Sequence, residues 1–312
     1  MSQPMHSRRY GYFAAAGVVA LAVAAVIYTT MQAPEPREGQ ILADYRSGVP
    51  ELRFVEAESS RDLLERLREE QGEGWLPEDG AVPPVTAPAF PEDLPEVTVQ
   101  ERKEVFFRVL APVILVENAK VRADREFIRT VREEGTNGLG TGERDRLERL
   151  AEHYRVEEEF GSDAFFTRLL RRVDEVPPGM AAAQAANESG WGTSRFTREA
   201  NNLFGEWTWR SGEGLVPSQR PEGATHYIRV FDTLDRSVRS YYFNLNVGHA
   251  YPEFRRQRLE MRENGEALDS IRLTGTLTAY SERGHGYVDE VRSMIRTNRL
   301  QEWDRLELAG AE

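Results

Sequence analysis

The 312-residue chain contains no cysteine. That absence removes disulfides, thiolate metal sites, thiol nucleophiles and a lipidated N-terminal cysteine at once. An oxidising compartment stays compatible with the chain, but the fold cannot depend on one. Histidine is scarce as well, with five residues. His226, His249 and His285 form no His-Glu-x-x-His pair or other close ligand spacing, so no metal is expected. A glycine-rich phosphate loop and a Gly-x-Ser-x-Gly elbow are both missing, which excludes nucleotide and serine-hydrolase chemistry and leaves no cofactor to expect. Positive charge is in deficit, with 40 Lys and Arg against 52 Asp and Glu and a net charge of −12. Nucleic acid is therefore a poor partner, because its binding relies on cations that neutralise phosphates. No internal repeat is present.

One long apolar run stands out. Tyr10–Tyr28 carries no charge and is rich in Ala, Val, Leu and Ile, and its length suits a membrane span. Arg8 and Arg9 precede it, while Glu35, Glu38 and Asp44 follow. This asymmetry places the N-terminus inside and the remainder outside. The competing reading is a cleaved signal peptide, but its small-x-small candidate, Ala22-Val23-Ala24, lies within the apolar run. The expectation is a cytoplasmic tail at 1–9 and a single-pass anchor at 10–30 in the inner (cytoplasmic) membrane. The body of the chain is then periplasmic or otherwise extracytoplasmic.

Residues 31–95 carry nine prolines and read as a Pro-rich spacer. One amphipathic helix is predicted within it over 60–71, with Leu63, Leu64 and Leu67 on one side. From about residue 96 the texture changes. Val105, Phe106, Val109, Leu110, Val113, Ile114 and Val116 give a strong helical period, with Pro112 expected to kink it or divide it. The helical pattern is expected to continue through 122–133, and further helices are predicted over 143–154 and 163–173. Another, Ala-rich, is expected to begin at Pro178, since proline is tolerated in a first helical turn. Residues 206–231 hold two tryptophans, several glycines and the run His226–Phe231, which predicts a β-hairpin or flap. Helices return over 233–246, 253–263, 267–272 and 287–299. Residues 96–312 thus form a mostly helical α+β domain around one small hairpin.

The stretch Ala183-Gln184-Ala185-Ala186-Asn187-Glu188-Ser189-Gly190-Trp191-Gly192 is the most informative in the chain. A helix of small residues can sit deep in a protein and hold the carboxyl of Glu188 at the mouth of a cleft. Burial raises a carboxyl pKa, and a raised Glu can protonate a leaving oxygen. An ordinary helix end with a solvated Glu is the competing reading. Farther on stand Asn201-Asn202-Leu203-Phe204-Gly205 and Tyr280-Ser281-Glu282-Arg283-Gly284-His285-Gly286-Tyr287-Val288.

This order of motifs, over roughly residues 96–305, resembles the bacterial glucosaminidases of glycoside hydrolase family 73, most closely their Bax-type branch. The resemblance implies a lysozyme-like fold and a peptidoglycan substrate. It makes Glu188 the general acid, and it gives Tyr287 a functional role, which the glycines flanking its approach also favour. Tyr280 is expected to pack or to line the cleft. Trp191 is a candidate to orient Glu188 and raise its pKa. Asn201, Asn202 and Phe204 belong to the family motif. For the two asparagines, hydrogen bonds to backbone or to sugar acetamido groups stand side by side. Trp207 and Trp209 are candidates for a sugar platform, with core packing the equal alternative.

Glycoside hydrolysis usually employs two carboxyl groups. The family's second Glu sits on the hairpin near Thr225-His226-Tyr227, where this chain has Tyr227. Glu206, Glu213 and Glu222 are the nearest acids, each more readily read as a solvated flap carboxylate. Three routes stay open: a flap Glu as base, assistance by the substrate's own acetamido group, or stabilisation by a polar group such as Tyr287. The expected function is an endo-β-N-acetylglucosaminidase cutting β-1,4 bonds of peptidoglycan. The rivals are a lytic transglycosylase, whose usual Gly-Leu-Met-Gln segment is missing, and a non-catalytic glycan-binding envelope module.

Overall fold

The computed structural model describes residues 48–74, 80–209, 214–216 and 226–310. The expected anchor at 10–30 lies outside them, and no helix of the described residues is long and apolar enough to cross a membrane. Helix α1 (Ser60–Gln71) starts where the Ser59 hydroxyl accepts the Asp62 N–H, a side-chain N-cap. Its Leu63, Leu64 and Leu67 are buried, as their spacing predicts. They pack on the 36-residue helix α2 (Val99–Glu134). Thr98 and Glu101 close a reciprocal capping box at the start of α2.

Pro112 does not divide α2, which runs through it as one helix. A proline has no N–H to give to the carbonyl four residues earlier, here that of Arg108. Gln71 Nε2 at the end of α1 supplies that donor at 2.9 Å, and Thr86 Oγ1 caps the neighbouring Val109 carbonyl at 2.7 Å. The buried Arg108 guanidinium donates in turn to the Gly72 and Glu73 carbonyls, at 2.9 Å each. Residues 48–74 and 80–97 are therefore part of the folded domain, and the expectation of a spacer running to residue 95 does not describe them. Two short parallel pairs fasten them further. Strand β1 (Arg53–Phe54) pairs with β3 (Val85–Thr86). Strand β2 (Ala81–Val82) pairs with β7 (Glu307–Leu308), with Ala81 opposite Glu307.

Beyond α2 the chain is mainly helical: α3 (Thr141–His153), α4 (Asp163–Arg172), α5 (Pro178–Ser189), α6 (Arg195–Ala200), α7 (Leu234–Val247), α8 (Pro252–Glu263), α9 (Ser270–Thr274) and α10 (His285–Thr297). A 3-10 turn, Leu300–Arg305, precedes β7. The expected hairpin is a small antiparallel sheet in the order β4 (Trp207–Thr208), β6 (Tyr227–Arg229), β5 (Gly214–Leu215). The class is α+β and mostly α, as the periodicity predicts.

Helix α5 lies at the centre. Pro178 opens it at a position where its missing N–H costs nothing. Met180 to Ala186 are all buried. Its small residues let neighbours approach closely: a Cβ on Gly179 would stand 2.1 Å from the Leu300 carbonyl oxygen. Asp304 locks this approach. Its Oδ1 accepts from the Gly179 N–H at 3.1 Å and the Ser270 hydroxyl at 2.6 Å, and its Oδ2 accepts the Ser270 N–H at 2.8 Å. One carboxylate thus joins the N-termini of α5 and α9. Behind the end of α4, buried Asp174 is ringed by Arg125, Arg258 and Arg262, the pairing a buried charge requires.

Candidate active site

Residues four apart on a helix share a face, so α5 presents Gln184 and Glu188 one turn apart. Gln184 is buried and Glu188, near the helix end, is half-buried. Gly190 ends α5 in the left-handed conformation (φ 58°), which glycine adopts without cost. Trp191 follows at φ 62° and Gly192 at φ 79°, and a left-handed tryptophan is a strained residue. Several contacts hold it. The Trp191 ring meets Phe106 and Phe107 edge-on at 5.7 and 5.3 Å, and Lys103 Nζ lies 4.5 Å from its centroid. The Ser189 hydroxyl accepts the Gly192 N–H at 2.9 Å, and the Ser189 carbonyl accepts the Ser194 N–H at 2.8 Å. The ring contacts of Trp191 run to α2, so its place is to anchor the turn that follows Glu188.

Tyr287 enters from the first turn of α10 and is buried. Its hydroxyl lies close enough to Glu188 for each group to act on the other's titration. Gln184 Nε2 donates to the Tyr287 oxygen at 2.8 Å, and the Tyr241 hydroxyl of α7 donates to Gln184 Oε1 at 2.6 Å. Three helices thus contribute one directed hydrogen-bond chain, from Tyr241 through Gln184 to Tyr287, beside Glu188. Tyr280 stacks flat on Tyr287, with centroids 5.2 Å apart and planes within 6°. Burial raises the Glu188 carboxyl above the usual carboxylate range, against the pull of hydrogen bonds from Tyr287 and Asn187 and the charge of Arg283. Glu290 adds a smaller upward push. Tyr241, Tyr280 and Tyr287 are each raised well above the usual phenol range, first by burial and then by nearby charge. All three are proton donors at neutral pH. The arrangement can hold a proton on a desolvated carboxyl and stabilise the carboxylate left when that proton departs.

Comparison with known proteins agrees with this geometry. Residues 165–300 match the glucosaminidase family model described as mannosyl-glycoprotein endo-beta-N-acetylglucosaminidase. The chain is 32% identical over 198 residues to the protein named "Protein bax" of Escherichia coli (strain K12), spanning 63% of this chain and 70% of that protein. The chain belongs to the Bax-type glucosaminidase-domain proteins. No solved structure matches it. Membership supports a glycan-acting enzyme or envelope module.

Several motif residues of this Bax-type domain bond or pack within the fold. Asn201 caps α6 in the left-handed region (φ 50°) and donates to the Phe231 and Asp232 carbonyls, both at 3.1 Å. Asn202 is buried. Its Nδ2 donates to the Glu206 and Arg229 carbonyls at 2.8 and 2.9 Å, and its Oδ1 accepts the Glu206 N–H at 2.8 Å. Of the two readings for the asparagine pair, the structure shows the backbone one. Phe204 offers no face to a sugar, because it is buried and stacks on Tyr241 at 3.9 Å with planes within 4°. Trp207 is buried against His226 and Ile228, so for it the structure shows core packing, while Trp209 is half-buried beside the same cluster. Tyr280 is buried with its hydroxyl 3.5 Å from the Phe204 carbonyl.

Glu206 is no solvated flap carboxylate. It is buried, and its Oε2 accepts from the Ser240 hydroxyl at 2.6 Å and from Arg229 Nη1 at 3.4 Å. Glu213 and Glu222 lie outside the described residues. Two members of the site escaped the sequence reading. Gln184 had a usable signal, a lone amide four residues before Glu188 in a run of alanines. Tyr241 had none, since only tertiary packing of α7 brings it to Gln184.

Proposed function

We propose that this chain hydrolyses the β-1,4 glycosidic bonds of peptidoglycan on the N-acetylglucosamine side, with Glu188 as the general acid. The observation that supports it is the half-buried Glu188 carboxyl, raised by desolvation at the end of a buried helix. In this reading Glu188 gives its proton to the glycosidic oxygen as the C1–O bond breaks. The acetamido oxygen of the substrate bonds to C1 from the opposite face, so no second protein carboxylate is required. Water then attacks C1, the C1–oxygen bond to the acetamido group opens, and Glu188 recovers a proton from that water. Tyr287 stabilises the carboxylate between the two steps. This route suits a site in which Glu206 is already engaged by Ser240 and Arg229. It predicts retention of configuration. The setting we propose is the outer side of the cytoplasmic membrane, with the apolar segment at 10–30 as anchor.

The test is digestion of purified peptidoglycan by the full chain, wild type and Glu188→Gln, with mass spectrometry of the products. Fragments ending in reducing N-acetylglucosamine are expected, with a loss of about 10²–10⁴-fold in rate for the variant. Activity should fall as pH rises through the raised pKa of Glu188, because only the protonated form serves as acid. Products ending in 1,6-anhydromuramic acid would instead make the protein a lytic transglycosylase. Glycan binding without products would make it a binding module.

A further inference from the structure

Asn187 stands next to the acid candidate in a helix that offers little polarity. From Met180 to Ala186 α5 is buried, and Gln184 is the one polar side chain in that run. Asparagine is a poorer helix former than alanine, because its short amide competes for nearby backbone groups. Here the amide makes no such bond. Among the described residues its side chain makes one hydrogen bond, from Nδ2 to Glu188 Oε1 at 3.2 Å. Asn187 and Glu188 are both half-buried. The donor end of the amide has to face the carboxyl, since Oδ1 in its place would repel it. We propose that Asn187 is a positioning residue: its amide holds Glu188 Oε1 as the acceptor oxygen, so that the acid proton resides on Oε2 and leaves from there. The inference rests on Glu188 acting as the general acid.

A neutral carboxyl has one O–H oxygen and one carbonyl oxygen, and the carbonyl oxygen is the better acceptor. An N–H aimed at Oε1 therefore selects the form protonated on Oε2. When that proton passes to the substrate, the bond from Asn187 becomes charge-assisted and strengthens. An interaction that grows as charge develops lowers the barrier. The same bond opposes the desolvation that raises Glu188. A substitution at 187 leaves the other groups around Glu188 in place. Tyr287 and Arg283 favour its ionised form, and Glu290 opposes it. Tyr241, Tyr251 and Tyr280 sense its charge, and the last two also sense Glu206.

The experiment is a pH titration of the full chain in detergent, with carbon-13 labels on the glutamate carboxyls. The Glu188 line is identified by its loss in Glu188→Gln. Wild type, Asn187→Ala and Asn187→Gln are compared, with a thermal melt of each. The expected result is an upward shift of the Glu188 titration in Asn187→Ala and a smaller one in Asn187→Gln, which keeps an amide. The melting temperature of Asn187→Ala should equal or exceed that of the wild type, because alanine suits the helix better. In peptidoglycan digestion the alkaline limb of Asn187→Ala should move up with the titration. Its kcat should fall about tenfold, the worth of one hydrogen bond to a charged group, with little change in KM. An unmoved Glu188 titration in Asn187→Ala overturns the proposal. So does a shift in Asn187→Gln as large as in Asn187→Ala, and so does a lowered melting temperature with kcat unchanged, the mark of a merely structural residue. The titration needs no turnover. A wild-type protein that digests nothing but shows the expected titrations refutes the hydrolase reading and leaves the Asn187 contact standing.

Discussion

Single residues in this domain work through what they hold. Glu188 is the acid candidate because α5 is desolvated around it, and α5 is desolvated because alanines and Gly179 let α2, α10 and Leu300–Arg305 close in. Asp304 fastens that closure and carries a pH dependence of its own. Burial raises its carboxyl from 3.8 to about 6, outweighing the hydrogen bonds from Ser270 and Gly179 that pull it down. The folded state therefore binds more protons than the unfolded one between about pH 4 and pH 6. The resulting stability is fully present below about pH 4 and is lost as pH rises through about 6. A shift of this size amounts to roughly 2–3 kcal/mol. Urea midpoints measured across pH 4–7 should show this slope in the wild type and lack it in Asp304→Asn. Parallel curves for the two proteins would refute it. The motif made Glu188 and Tyr287 legible in the sequence, and their proximity needed the fold. Glu206 was misread because glutamates are mostly exposed. Its burial follows from the partners that α7 and β6 bring, which no local pattern displays.

Elements were more legible than contacts. The helical periods in 60–71, 143–154, 163–173, 233–246 and 253–263 reappear within a few residues as α1, α3, α4, α7 and α8, because apolar spacing reports burial directly. The role of α7 was not visible. Over five residues it offers Ser237 to the Leu203 N–H, Ser240 to Glu206 and Tyr241 to Gln184. One helix face thereby joins the Asn-Asn-Leu-Phe-Gly turn, the β-sheet and the acid-bearing helix. Asn202 is the pin on the other side of this joint, with three buried backbone partners. Asn202→Ala removes all three hydrogen bonds, though the Glu206 carbonyl keeps the Arg229 N–H at 3.0 Å. The expected outcome is a loss of about 1–3 kcal/mol in urea denaturation, the cost of a buried group left unsatisfied, with faster amide exchange at Glu206. Full retention of stability would show that water or relaxation replaces the asparagine.

At the scale of the whole molecule, the prolines between 83 and 95 concealed a structural role. Proline density signals extended chain, and residues 80–95 run as short strands and turns, but they are packed. Val82, Val85, Phe90 and Leu94 are buried in the main core together with the leucines of α1. Phe90 stacks on Phe106 of α2 at 5.5 Å, and its ring edge stands 2.9 Å from where a Cβ on Gly192 would be. The Pro88 carbonyl receives the first N–H of α7 at 2.9 Å. The segment thus reaches the turn after Glu188, the helix that carries Tyr241 and the proline gap in α2. Burying a large apolar side chain is worth about 1.5–3 kcal/mol. Leu63, Leu64, Leu67, Phe90 and Leu94 together therefore match the roughly 5–15 kcal/mol net stability of a typical domain. A fragment of residues 48–312 should melt cooperatively. A fragment of 96–312, though it retains every motif residue, should be unfolded or aggregate, with the apolar face of α2 exposed. Circular dichroism melts of the two fragments decide the matter, and equal midpoints would show that residues 48–95 only decorate a self-sufficient core.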